Sequence, residues 1–387
     1  MLLKSLSDFC SAMTKNKSTM SYIRPALLEM PPKFDPPTEG YLKHQGLDTE
    51  LIRPMGLNEC NFPPSPKVIE AIKDNLEKIA RYPDAQPPRL SQIISQMFGI
   101  ETNCIVWGNG SEELIKRAID LSVKNGDGII LPVPTFWGYR ALVAAAEAET
   151  TFTRLNTDGT INVEEVKQAI NNKTKLVFCV TPNNPTGLVL PEDDLHQLIS
   201  QIPNDVLFVV DEAYYEFSAF SGGPDVVKAL KERSGPWILI RTFSKAYAMA
   251  GMRIGYALCS DAVLGQALRK TTCVFNVPIL AMFAAEAGLS DTHYLQLMMK
   301  RVSSARNQVI SGLDSLGLKP ISSVTNFVSV EVPIPGRIVV ERMLNMGIQI
   351  LAWPDPGYEN FIRITVGQEE DNNSCLKSLE QVLKGGI

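Results

Sequence analysis

A lysine stands at the exit of an apolar run. Trp237-Ile238-Leu239-Ile240 reads as a buried strand, Thr242-Phe243-Ser244-Lys245 follows it, and Arg253 lies eight positions beyond the lysine. Burial disfavours an ammonium and lowers its pKa. The neutral amine that results is a nucleophile and forms Schiff bases with carbonyls. The hydroxyls of Thr242 and Ser244 and the guanidinium of Arg253 suit a phosphate. Taken alone, a lysine between two strands is an ordinary solvated residue, so its meaning depends on what the other strands deliver.

Four other strand ends deliver complementary groups. Gly110, Ser111 and Glu112 follow the segment Cys104-Ile105-Val106-Trp107 and open a helix, where backbone N–H groups and the helix dipole favour a phosphate. Phe136, with Trp137 and Tyr139 close by, follows Gly128-Ile129-Ile130-Leu131; an aromatic there stacks on a flat ring or packs under its own loop. Asn184 presents an amide from the turn Asn183-Asn184-Pro185-Thr186-Gly187. Asp211 ends the apolar run Val206 to Val210 and is followed by Glu212-Ala213-Tyr214. A carboxylate in that position is costly without a cationic partner, and a protonated pyridine nitrogen is one. An amine for a carbonyl, a phosphate cradle, a stacking face and a pyridinium partner together specify pyridoxal 5'-phosphate.

Positioning these groups requires an α/β architecture. From Cys104 to Leu258 apolar strands alternate with helical segments, which predicts a mostly parallel sheet sandwiched between helices. Ligands bind at the carboxyl ends of such strands. Three regions are expected. Residues 1–64 are rich in proline and read as an N-terminal arm that forms part of the small domain and lies on another surface. Residues 65–275 form the large cofactor-binding domain, and 276–387 a smaller α+β C-terminal domain. Ser65-Pro66 opens the first helix of the large domain, with Val68, Ile69, Ile72, Leu76 and Ile79 along one face.

Composition excludes several classes. The net charge is −5, and no basic stripe or arginine-rich tail suggests nucleic acid. No apolar stretch approaches the ~18 residues of a membrane span, and Asp8 with the polar run Thr14 to Thr19 interrupts any signal-peptide core. The seven cysteines form no Cys-x-x-Cys pair and the three histidines are far apart, so no metal is expected. Scattered thiols fit a reducing, cytoplasmic location. A nicotinamide-dependent dehydrogenase, suggested by Gly108-Asn109-Gly110, lacks the third glycine of the fingerprint and leaves Lys245 and Asp211 without a task.

The motifs Arg81-Tyr82-Pro83-Asp84, Asn183-Asn184-Pro185-Thr186-Gly187, Asp211-Glu212-Ala213-Tyr214, Ser244-Lys245 to Arg253, Asn326-Phe327-Val328 and Ile362-Arg363-Ile364 resemble those of fold-type I pyridoxal-phosphate enzymes. Within these the chain is most similar to the class I/II aminotransferases of the histidinol-phosphate aminotransferase type. The resemblance implies that Lys245 is the Schiff-base lysine and moves the proton, that Asp211 pairs with the pyridine nitrogen, and that Tyr214 and Asn184 donate to the ring oxygen. Phe136 would stack on the ring, while Gly110, Ser111, Glu112, Thr242, Ser244 and Arg253 hold the phosphate. Tyr82 would reach the phosphate of a neighbouring subunit, which makes a homodimer. Arg363 would clamp the anionic group of a small amino-acid substrate, with Asn184 and Glu59 also at the substrate.

Two departures from the family pattern bear on the substrate. A second arginine, commonly written Gly-Ile-x-x-Arg, is missing near Gly347-Ile348-Gln349-Ile350, where Ala352 or Trp353 stands in its place. Thr272-Cys273-Val274-Phe275-Asn276 lacks the arginine of Arg-x-Pro-Phe-Asn. A pocket with two fewer cations points to a neutral or cationic amino acid, and leaves a lyase, cyclase or decarboxylase as the alternative to transamination.

Overall fold

The computed structural model describes residues 22–30 and 37–385; the sequence reading of residues 1–21 lies outside them. The first strand, β1 (Arg53–Pro54), is short. It is followed by β2 (Ile105–Gly108), β3 (Gly128–Val133), β4 (Glu149–Arg154), β5 (Thr174–Val180), β6 (Leu207–Asp211), β7 (Trp237–Thr242) and β8 (Gly255–Cys259). The last seven build one sheet in the order β2-β8-β7-β6-β5-β3-β4. All neighbours are parallel except β8, which runs antiparallel to β2 and to β7. The connection from β7 to β8 carries no crossover helix, only a 3-10 turn at Ala250–Met252, so β8 must run back along its neighbour. Every residue of β2, β6, β7 and β8 is buried, as strands covered by helices on both faces require.

A smaller sheet follows. It contains β9 (Phe327–Glu331), and after it come β10 (Ile348–Gln349), β11 (Leu351–Ala352) and β12 (Phe361–Thr365). The order is β11-β12-β9, all antiparallel, packed with the helices Thr292–Ser315, Gly336–Asn345 and Glu369–Leu383. Two hydrophobic clusters result. One spans Val68 to Leu289 around the large sheet. The other holds Met55, Met298, Phe327, Ile364 and Leu379, and reaches across to Tyr214, Phe217 and Ala246. The carboxyl ends of β6 and β7 therefore abut the seam between the clusters.

Pro54, in the proline-rich stretch read as an arm, sits in a strand: β1 pairs with β10 through Arg53 N–H to Gly347 O at 2.8 Å and Met55 N–H to Gln349 O at 2.9 Å. The flanking residues make the bonds, so the N–H that proline lacks is not needed. The run Ile348 to Ala352 forms two short strands, because β10 pairs with β1 while β11 turns to pair with β12. The helix opened by Ser65, whose hydroxyl accepts from Lys67 N–H at 3.2 Å, ends at Lys73. Leu76 and Ile79 lie in a following 3-10 turn and are 49% and 66% exposed, so that apolar face is not covered within one chain. Among the described residues no helix is long and apolar enough to cross a membrane.

Candidate active site

Lys245 follows β7 and turns its amine toward the segment Gly56-Leu57-Asn58. Its Nζ donates to Asn58 O at 2.9 Å and to Leu57 O at 3.3 Å. Arg363, on β12, donates from Nη2 to Gly56 O at 2.6 Å and from Nη1 to Asn184 Oδ1 at 2.5 Å. Carbonyls of three consecutive residues, 56 to 58, thus anchor the amine and the guanidinium together. Arg363 is 7% exposed, and its Nε has no hydrogen-bond partner. An orphaned donor on a buried fork is suited to a carboxylate arriving from outside.

Burial pushes the Lys245 ammonium down to about 8; Arg363 and Arg253 add to this, while Glu59 and Asp211 oppose it. About a tenth of such a lysine is free amine at pH 7, against roughly one part in 2,500 at the ordinary value near 10.4. Burial also lowers the Arg363 guanidinium to about 10, which leaves it charged at neutral pH.

Asp211 closes β6 at the edge of the sheet and is 4% exposed. Burial raises its carboxyl to about 6, against the opposing effects of the Tyr139 hydroxyl, the Ala213 N–H and the Lys245 charge. Tyr139 donates to Oδ2 at 2.9 Å and Ala213 N–H to Oδ1 at 3.0 Å. Tyr214 is buried, with its hydroxyl raised to about 12 mainly by that burial. The hydroxyl accepts from Asn58 Nδ2 at 2.9 Å, which leaves its own proton to donate.

The candidate phosphate cradle draws on the ends of β2, β7 and β8. Gly110 caps the helix Ser111–Ser122 at φ 80°. A Cβ there would lie 2.5 Å from Arg253 Nη2, so only glycine lets the guanidinium close on the helix N-terminus. Gly255 packs its α-carbon against Ser111 N, where a Cβ would stand 3.1 Å away. Thr242 Oγ1 donates to Ser244 Oγ at 2.9 Å. Glu112 lies in the first turn of the same helix. Phe136 lies edge-on to Tyr139, with ring centroids 6.3 Å apart.

The profile of the family Aminotransferase class I and II matches residues 53–379. The chain belongs to that family. Histidinol-phosphate aminotransferase 2 of Carboxydothermus hydrogenoformans is 32% identical to this aminotransferase over 86% of the chain and 91% of its own length. Histidinol-phosphate aminotransferase 1 of Nitrosococcus oceani is 36% identical over 84% and 88%. Among solved structures, histidinol-phosphate aminotransferase from Sinorhizobium meliloti in complex with pyridoxal-5'-phosphate superposes with a TM-score of 0.87 at 26% identity, covering 96% of this chain and 100% of that one.

Lys245, Tyr214, Asn184 and Arg363 meet around the strip Gly56-Leu57-Asn58 in this aminotransferase, whereas Tyr82 and Glu59 are exposed. Tyr82 is 82% exposed and stacks on Phe275 at 4.9 Å. Glu59 is exposed beside Asn58, and its backbone carbonyl accepts from Asn326 Nδ2 at 3.1 Å. Asn58 and Tyr139 were missed as site residues. The signal for Asn58 was a polar residue in a proline-bounded apolar turn; its φ of 53° and its bonds to Thr365 give it one orientation. Tyr139 is three residues past Phe136, in the first turn of the helix Gly138–Ala145, and its N–H donates to Phe136 O at 3.1 Å.

Counted from Gly347, the Gly-Ile-x-x-Arg pattern puts its arginine at Leu351, not at Ala352 or Trp353. On β11 it is Leu351 that lies opposite Arg363, and Ala352 faces the other side of the sheet, opposite Ile362. Trp353 stacks on Phe361 at 4.7 Å and donates its indole N–H to Ser329 Oγ at 3.3 Å. That hydroxyl donates to Pro185 O at 2.6 Å. Trp353 thus backs the turn that carries Asn184, and Leu351 is the apolar neighbour of Arg363. Among the described residues no group of three or more His, Cys, Asp or Glu side chains is placed to hold a metal.

Proposed function

We propose that this chain is a pyridoxal-phosphate-dependent aminotransferase of the histidinol-phosphate aminotransferase type, acting on a small amino acid. One observation carries the reading: a buried amine of lowered pKa and a buried guanidinium with a spare donor are held on adjacent carbonyls. That arrangement suits the amino and carboxylate ends of one α-amino acid. The residues present fit the cofactor. Asp211 would hold the ring nitrogen, Tyr214 and Asn184 the ring oxygen, and Phe136 the ring face. Gly110, Ser111, Glu112, Thr242, Ser244 and Arg253 would hold the phosphate. When bound, pyridoxal phosphate supplies a carbonyl for the amine and a ring that takes up the electron pair released at the α-carbon.

The protein's own groups do the rest. Arg363 binds the substrate carboxylate and orients the α-carbon, a bidentate task that lysine performs poorly. Lys245 Nζ takes the α-proton and returns it. Tyr139 and Ala213 N–H keep Asp211 ionised despite its burial. The test is a spectral titration with pyridoxal phosphate, followed by a panel of amino acids with 2-oxoacids. A cofactor band that shifts on adding a donor amino acid, with release of its oxoacid, is the expected result. Release of ammonia, water or carbon dioxide would replace transamination with elimination, cyclisation or decarboxylation.

Leu351 beside Arg363, and the carboxylate of Glu59 on the loop that holds Lys245, support a donor whose side chain is neutral or cationic. Arginine at position 351 is then expected to improve kcat/KM for an anionic donor by roughly 10-fold or more, since each 1.4 kcal/mol is tenfold, with little change for neutral donors. No gain for anionic donors would sink this substrate reading.

The proposed division into an arm to residue 64, a large domain over 65–275 and a small domain over 276–387 is supported by the two clusters, although the helix Ile279–Ser290 packs with the first. The exposed apolar residues Ile79, Tyr82, Val274 and Phe275 support a homodimer in which Tyr82 reaches the partner's phosphate site, and the free thiols a cytoplasmic location. Ile79→Glu with Val274→Glu is expected to convert a dimer to monomers in sedimentation velocity and to weaken cofactor binding. A wild-type monomer that binds cofactor tightly would rule the dimer out.

A further inference from the structure

Behind the site lies an ion pair that no step above uses. Arg241, on β7, donates from Nε and Nη2 to Glu212 Oε2 at 2.9 and 2.6 Å, and both residues are 1% exposed. The guanidinium is held between two rings, 3.4 Å from the Tyr215 centroid and 4.4 Å from that of Phe98. Its Nη1 has no hydrogen-bond partner. A buried pair of this kind is an expensive way to fill a core, and well-packed apolar side chains are often as stable or more so.

Its neighbours indicate what it does. Asp211 aligns with Ile240, and the Glu212 N–H donates to Ile240 O at 2.8 Å, so Glu212 and Arg241 lie side by side. Alternation then puts Asp211 and Thr242 on the opposite face from the pair. Glu212 is thus one residue from Asp211, Tyr215 one from Tyr214, and Arg241 itself one from Thr242.

We propose that the Glu212–Arg241–Tyr215 stack is a positioning device, one that fixes the spacing between Asp211 and Tyr214 at one end of the cofactor and Thr242 at the other. It adds a directional fork and a ring at the ends of β6 and β7, next to the last backbone bond between them, Glu212 N–H to Ile240 O. This inference rests on the proposed cofactor reading.

The test is the double variant Arg241→Met with Glu212→Leu, which removes both charges and leaves no ion unpaired. Circular dichroism and Tm of the cofactor-free protein report the fold, and a spectral titration reports affinity for pyridoxal phosphate. The fold should persist while the cofactor dissociation constant rises roughly 10- to 100-fold, the range found for groups standing behind metal ligands. In the loaded enzyme kcat should fall with the amino-acid KM unchanged. Arg241→Lys, which keeps the charge but not the fork, should lie between. A folded double variant that binds the cofactor within threefold of wild type overturns the inference. If the double variant does not fold, Tyr215→Leu is judged by the same criteria. Wild-type protein that binds no pyridoxal phosphate would instead overturn the cofactor reading, and this inference with it.

Discussion

Lys245→Ala is expected to lower turnover by about 10⁴-fold or more, because one group supplies both the nucleophilic amine and the proton transfer, and positioned acid–base catalysis alone contributes roughly 10²–10⁴. Lys245→Arg should fail equally, since a guanidinium does not release its proton near neutral pH. Borohydride reduction of wild-type enzyme loaded with pyridoxal phosphate, followed by peptide mapping, should place the adduct on Lys245. The alanine variant should show none while keeping its fold. An adduct on another lysine, or an active alanine variant, would end the assignment. The lowered pKa of the amine, about 8 before cofactor arrives, adds a pH signature. Cofactor association should speed up from pH 6 to pH 8 as the free amine accumulates, and level off above.

Asp211→Asn is expected to act in opposite directions on activity and on stability. In the proposed reading the carboxylate would face the cationic ring nitrogen of the loaded enzyme, and truncating one partner of a buried charge pair costs about 2–5 kcal/mol, or roughly 30- to 5,000-fold in rate. Without cofactor the same carboxylate has no cationic partner in hydrogen-bond contact. Its folded value of about 6 lies above the ordinary 3.8, so ionisation is harder in the folded chain than in the unfolded one. The carboxyl costs nothing below about pH 4, where both states are protonated. The cost grows between pH 4 and 6 and is constant above, at roughly 3 kcal/mol by proton linkage. Cofactor-free Asp211→Asn should therefore unfold at a higher Tm than wild type at pH 8 and at the same Tm near pH 4. Equal melting at both pH values would show that Asp211 is not strained in the empty site.

Much of this site was legible because it is built from strand ends. A parallel sheet brings the carboxyl ends of successive strands to one side whatever the details, so Asp211 at the end of β6, Thr242 at the end of β7 with Lys245 just past it, and Gly110 after β2 could be expected together from the order of apolar runs. The cradle was legible for a steric reason: a glycine before a helix, with an arginine elsewhere to fill the room. Asn58 and Tyr139 were not, because their roles exist only through partners 156 and 72 residues away, in Tyr214 and Asp211. The small sheet was harder still. Counted from Gly347, the Gly-Ile-x-x-Arg pattern reaches Leu351, one residue before Ala352, but that Leu351 then stands opposite Arg363 is set by the register of β11 against β12, which no count along the chain shows.

By itself, then, the sequence determined the layered α/β fold, the place of Lys245 at a strand exit, and the chemistry of a carbonyl cofactor that also carries a phosphate. These follow from periodicity and local burial, which short segments encode. Only the tertiary structure decided how the amine is presented, which residue neighbours Arg363, and what ties Asp211 to Thr242. Those depend on carbonyls, registers and a buried fork contributed by segments far apart in the chain. The lysine that would be a solvated loop residue in isolation is an amine of lowered pKa because it is buried and Arg363 lies close by, with Gly56-Leu57-Asn58 accepting from both.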